Sequence, residues 1–162
     1  MEEFIKQIRI ALDNKLYYLA LQSCLSLPDI CASLDSEDGR TTGAKYAKWY
    51  DENVKGTSNL TGEDCYMFRC SALHQGHTQN QKSRYSRIIF VEPSPRFFMH
   101  NNVIMDVLNI DINVFCNSIL NAVEDWLTKQ QDNPQFLKNY ELFIRRYPDG
   151  IAPFMVGIPV IS

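Results

Sequence analysis

Most of the apolar residues in this chain recur at a spacing of three to four, and that periodicity dictates amphipathic helices over most of its 162 residues. From Glu2 to about Ser26 the pattern is Phe4, Ile5, Ile8, Leu12, then Leu16, Leu19, Ala20, Leu21 and Leu25. Asp13-Asn14 reads as a cap dividing two helices, and Pro28 as the first turn of a short helix to Leu34, with Asp29 favourable at its positive end. Asp35 to Arg40 is a polar loop. A further helix is expected at Gly43–Asn53, where Tyr46, Trp49 and Tyr50 share one face. That aromatic stripe fits a core or a dimer interface better than a platform for stacking bases.

After a second polar loop, Lys55 to Leu60, Thr61 has the character of an N-cap, with Asp64 completing a capping box three residues on. The helix it opens runs to Leu73 or His74, and Gly76 stands where a left-handed glycine ends helices. Gln75 to Ser86 is hydrophilic. The β-branched run Arg87–Val91, closed by Glu92-Pro93, predicts a strand, and a second strand at Asn102–Leu108 is expected to pair with it antiparallel. Asp111 caps the longest helix, marked by Ile112, Phe115, Ile119, Val123 and Trp126-Leu127. Asn133-Pro134 opens a last helix carrying Phe136, Leu137, Tyr140 and Phe143-Ile144, broken by Tyr147-Pro148-Asp149-Gly150. The apolar tail, Ile151 to Ser162, is expected to lie extended against the core or a partner. The expectation is one mainly α domain over residues 1–162: a helical bundle with a small antiparallel β-ribbon inserted between the helix ending at His74 and the longest helix.

Composition narrows the class. Hydrophobic residues at 45% and charged residues at 22% are a globular balance, which excludes a disordered or fibrous chain. No apolar run approaches the ~20 residues that span a bilayer, so no membrane partner is expected. The start, Met1-Glu2-Glu3-Phe4, places acids where a secretory signal needs basic residues. Five cysteines without repeated spacing then read as reduced thiols, and the expected location is cytoplasmic.

A net charge of −3 argues against an indiscriminate nucleic-acid binder. The charge is unevenly spread, however. Between Asp64 and Glu92 there is no acid, while Arg69, Lys82, Arg84 and Arg87 are all basic and His74 and His77 lie in the same stretch. The alternatives are a phosphate-binding approach and a solvated loop that happens to lack acids.

The chemistry-bearing string in that stretch is Phe68-Arg69-Cys70-Ser71-Ala72-Leu73-His74-Gln75-Gly76, preceded by Gly62-Glu63-Asp64-Cys65-Tyr66-Met67. Its Arg-x4-His pattern on the last turns of a helix resembles the HEPN superfamily, helical bundles whose nuclease members carry Arg, four to six residues, then His. The resemblance covers about fifteen residues and the helical context. It implies a metal-independent endoribonuclease with no cofactor, acting as a homodimer with a composite site, in a toxin–antitoxin pair, in stress or in phage defence, with an antitoxin or another protein as possible partner. Arg69 and His74 are then the catalytic pair, and Lys82, Arg84 and Arg87 the RNA-binding approach. Glu63, Asp64, Tyr66, Cys70 and His77 are supporting candidates. Cys70 departs from the polar residue that usually follows the arginine in nuclease members, and a thiol is a weak hydrogen-bonding group.

The residue chemistry agrees with that implication. Metal-free RNA cleavage deprotonates a 2′-OH, stabilises extra charge on phosphorus and protonates a leaving oxygen. Imidazole transfers protons near neutrality, and a guanidinium holds phosphate oxygens in bidentate fashion. Five steps along a regular helix place Arg69 and His74 about 140° apart, so either the helix loosens at its end or the two meet across a two-fold axis, and the resemblance implies the second. Other readings stay open. Arg69 can serve structure, pairing with Glu63 or Asp64 or lying at the negative helix end, with His74 as a cap. Cys70 and His74 share a helix face with His77 near, but a fourth metal ligand is missing. A non-catalytic HEPN-like interaction module, binding RNA, a nucleotide or a protein, is the rival function.

Overall fold

The computed structural model describes residues 1–55, 59–79 and 84–162. Six helices are described: α1 (Glu2–Asp13), α2 (Tyr17–Leu34), α3 (Gly43–Asn53), α4 (Gly62–Gln75), α5 (Ile112–Thr128) and α6 (Pro134–Tyr140). They make up about half the chain, so the molecule is mainly α, with a few short strands.

α2 is the central helix, in contact with α1, α3, α4, α5 and α6. Its buried residues, Ala20, Cys24, Leu25, Leu27, Pro28, Cys31, Ala32 and Leu34, cover about half of its circumference, a wide face that its several neighbours share. Pro28 does not open a new helix, as its chemistry suggests, but lies inside this 18-residue one. Proline there removes a main-chain hydrogen bond. Two side-chain donors serve carbonyls just before it: Tyr46 Oη donates to Leu25 O at 3.2 Å, and Ser26 Oγ to Ser23 O at 2.7 Å. Packing of that wide buried face against the neighbouring helices does the rest, which no local signal around Pro28 records.

α3 and α4 approach closely because glycines face the neighbouring helix. A Cβ on Gly62 would lie 2.1 Å from the Ala47 carbonyl oxygen, and one on Gly43 would lie 2.5 Å from the Tyr66 ring. Asp51 Oδ1 accepts from Gly62 N at 2.6 Å, tying the start of α4 to α3. The Thr61–Asp64 capping box is fully formed, and Gly76 closes α4 with φ of 67°. Asp111 caps α5 by accepting from Val114 N at 2.9 Å.

Between α4 and α5 lie β1 (Arg87–Val91), β2 (Asn102–Ile104) and β3 (Val107–Asp111) in the order β1-β3-β2. This corrects the expected two-stranded antiparallel ribbon. Met105 and Asp106 both have positive φ, 49° and 61°, and fold the single expected strand into a two-residue hairpin, β2 antiparallel to β3. β1 then lies parallel to β3, with Ile88 opposite Leu108 and Phe90 opposite Ile110. The turn carries neither glycine nor asparagine, so Asp106 is the one weak mark it left in the sequence. The sheet is held to the helices by a ring ladder: Phe68 of α4, Phe90 of β1 and Phe115 of α5 stand at successive centroid distances of 5.1 Å.

The last helix is shorter than its periodicity suggests, ending at Tyr140 instead of near Tyr147. The following backbone pairs with the end of the chain: Arg145 N donates to Ser162 O at 2.8 Å and Ser162 N to Arg145 O at 3.1 Å. β4 (Arg146–Tyr147) continues this antiparallel ladder with β7 (Val160–Ile161), and β5 (Gly150–Ile151) pairs with β6 (Met155–Val156). The tail is thus folded on itself in two short ladders and not simply extended.

Candidate functional site

Arg69 and His74 occupy the last two turns of α4, whose orientation is fixed by the Phe68 ring on one side and by glycine-mediated contact with α3 on another. Arg69 Nη1 lies 3.0 Å from His74 Nε2. The two groups therefore meet within one chain, without the loosened helix end or the two-fold axis that their angular separation suggested. The long arginine side chain runs along the helix surface and spans the difference. A guanidinium only donates, so this contact engages the lone pair of Nε2 and leaves the ring proton on Nδ1.

The partner of Arg69 on its other edge is neither Glu63 nor Asp64 but Asp29 of α2. Arg69 Nε and Asp29 Oδ2 are 2.7 Å apart, with side chains only 21% and 13% exposed. The N–H is not aligned on that oxygen, so the contact is a close ion pair and not a well-directed hydrogen bond. Burial pushes the Asp29 carboxyl above the usual aspartate range, outweighing the opposing pull of the Arg69 charge, the Arg69 contact and the Thr41 hydroxyl. On another side Asp29 borders a cavity of about 480 Å³ that Ser33, Thr41 and Asn139 also line.

Sequence reading treated Asp29 only as a helix-end charge. A stronger signal was present: Asp29 is the sole charged residue in all of α2. A lone carboxylate in an otherwise apolar, central helix requires a cationic partner.

Tyr66 and Cys70 sit one turn apart beside Arg69. The Cys70 thiol contact, followed by burial, raises the Tyr66 hydroxyl above the ordinary tyrosine range. Cys70 is half-buried, whereas His74 and His77 are exposed, and His77 N donates to Ser71 O at 3.1 Å. Cys65 faces the core, held by Tyr46 Oη at 3.3 Å, and burial pushes its thiol up to about 12, so it is an inert packing residue. Among the described residues no group of three or more His, Cys, Asp and Glu is placed to hold a metal.

The remaining candidates lie elsewhere. Glu63 and Asp64 are in the first turn of α4, roughly 15 Å along the axis from His74 at 1.5 Å per residue. Asp64 is committed to the capping box and to Arg84, whose Nη2 is 3.2 Å from its Oδ2. Arg84 also donates to Asn59 O and covers the Tyr85 ring at 4.7 Å. Arg87, at the start of β1, faces the Gln79 side-chain amide, whose oxygen accepts from Nε at 3.0 Å. Lys82 lies outside the described residues. The acid-free stretch therefore separates into Arg69 with His74 at one end of α4 and Arg84 near the other.

Compared against known protein families, curated proteins and solved structures, the chain has no match. No helix among the described residues is long and apolar enough to cross a membrane.

Proposed function

We propose that the chain is a metal-independent endoribonuclease of the HEPN type, with Arg69 and His74 as its reacting pair. The single observation that carries the reading is their 3.0 Å contact at the exposed end of α4. A guanidinium and an imidazole side by side supply the two functions the cleavage requires. Arg69 binds the non-bridging phosphate oxygens and answers the charge that builds on them. Once a phosphate oxygen takes the place of His74 on Nη1, the ring is free to adopt either tautomer, its unprotonated nitrogen accepts the 2′-OH proton, and the protonated ring can then serve the leaving oxygen. The fold adds support, being mainly helical around the motif helix.

By the same resemblance the proposal extends to a cytoplasmic homodimer acting in a toxin–antitoxin pair, in stress or in phage defence. Assembly no longer rests on aiming two groups at one point, since one chain brings them together. A site shared across a two-fold axis remains a property of the resemblance alone.

One observation favours the rival, a non-catalytic module that binds RNA, a nucleotide or a protein. The Asp29–Arg69 ion pair joins α2 to α4 and gives Arg69 a purely structural use. Incubation of the pure protein with total tRNA in EDTA, beside a His74→Ala control, separates the two readings. Cleavage by the wild type alone is the expected result, and equal behaviour of the two proteins leaves only the module.

A further inference from the structure

Building on the reading of Arg69 and His74 as the reacting pair, we propose that Asp29 is a positioning residue of the site. Its carboxylate fixes the guanidinium at Nε so that Nη1 caps His74 Nε2 until a phosphate oxygen replaces the imidazole. Three features of the geometry carry this.

The ion pair is short, 2.7 Å, and largely withdrawn from water, so it restrains the arginine far more than an exposed pair does. The guanidinium is a rigid planar fork, and fixing Nε also fixes the directions of its terminal nitrogens. The Asp29 ion pair lies at the Nε edge and the His74 contact engages Nη1, which leaves the remaining terminal N–H groups for an anion. The carboxylate is itself held by its place in α2, the helix at the centre of the bundle. Asp29 sits well below the exposed imidazole in the order of contacts: it touches Arg69, and Arg69 touches His74. It therefore acts on the reacting group through the arginine and does not itself meet substrate.

This arrangement has a consequence for the resting site. With Nε2 engaged by a donor, His74 has no free lone pair there, and the imidazole is masked as a base. A phosphate oxygen competes for the same N–H groups with full negative charge and displaces the neutral ring. Substrate binding and exposure of the base become one event, in a site that carries no uncovered base between encounters.

The test reads the histidine ring directly by nitrogen-detected NMR on the full-length, ¹⁵N-labelled chain at neutral pH, with inorganic phosphate as the probe. In the wild type His74 is expected with its proton on Nδ1, and added phosphate should move it towards the Nε2-protonated form usual for an exposed histidine. In Asp29→Asn that usual form should appear without phosphate, and phosphate affinity should fall about tenfold as Arg69 loses its fixed orientation. Asp29→Glu, which keeps the charge, should restore part of both. A folded Asp29→Asn protein with His74 still protonated on Nδ1 overturns the proposal, as does a wild type with its proton on Nε2. Should Asp29→Asn fail to fold, hydrogen exchange in the wild type decides: Arg69 Nε–H should exchange at least ~10-fold more slowly than that of exposed Arg96, and equal rates overturn the proposal. RNA cleavage is scored separately. Absence of cleavage with the expected ring behaviour defeats the nuclease reading and leaves the role of Asp29 standing.

Discussion

At the scale of single residues, the carboxylate that orders the site carries a pH signature of its own. Asp29 is raised above its ordinary value of 3.8 by burial, which means that the folded protein binds its proton more tightly than the unfolded chain. Its stabilising share is therefore complete below 3.8 and is lost as pH rises through the folded value. Asp29→Asn removes that titration. The melting temperature of the variant, taken relative to wild type, should rise as pH climbs from below 3.8 towards neutrality, a net trend in which burial outweighs the Arg69 pairing that forms as the carboxyl ionises. A constant difference across that range would show that Asp29 titrates as an exposed carboxyl. His74 makes a separate forecast: its replacement by alanine should lower RNA cleavage at least ~100-fold with the fold intact, since the ring is exposed and serves chemistry, not packing. Arg69→Ala should weaken RNA binding as well, because the phosphate contact itself is lost. Cleavage rates and binding isotherms for the two variants distinguish these effects. The motif residues were legible in the sequence because both lie on one short string. Asp29 was not, because its partner is 40 positions away and only the fold brings α2 against α4.

At the scale of elements, the helices that read clearly were those with local punctuation. Thr42, Thr61, Asp111 and Asn133 each cap the helix that follows, and each is a residue type whose side chain competes for the first free N–H groups. Where punctuation was absent or misleading, tertiary context decided. Pro28 was absorbed into α2 by packing of the helix against its neighbours, and the Met105-Asp106 turn formed without a turn-forming residue other than aspartate. The far end of α6 was surrendered to pairing with the end of the chain. The close seam between α3 and α4 is the element-level feature on which the site depends most. Gly62→Ala should drive a methyl group into the Ala47 carbonyl, force α4 away from α3 and cost about 1–3 kcal/mol. Chemical denaturation measures that loss directly. Because α4 carries Arg69 away from Asp29 as it moves, the variant should also lose the Nδ1-protonated form of His74, whereas Thr61→Ala, which only removes a cap worth ~1 kcal/mol, should leave it in place.

At the scale of the whole molecule, the question is how an acidic protein meets a polyanion. The sequence shows a basic island inside a chain of net charge −3, and among its described residues Arg69 and Arg84 lie towards opposite ends of α4. Arg84 faces Asp64, a 6%-exposed carboxylate that also closes the capping box, so its charge is already answered within the chain. Arg87 faces the neutral Gln79 amide and pairs with no acid among the described residues, and Arg69 shares its charge with Asp29 but presents Nη1 at the exposed helix end. RNA affinity should accordingly be modest and its salt dependence shallow. Each phosphate neutralised contributes about 0.7 to the slope of log K against log salt for single strands. Arg87→Gln should flatten that slope by about one such step without changing the melting temperature. Arg84→Gln should leave the slope unchanged and lower the melting temperature, because it strips a buried carboxylate of its cation. A loss of slope in Arg84→Gln equal to that in Arg87→Gln would mean that RNA pulls Arg84 away from Asp64, and that the island acts as one surface after all.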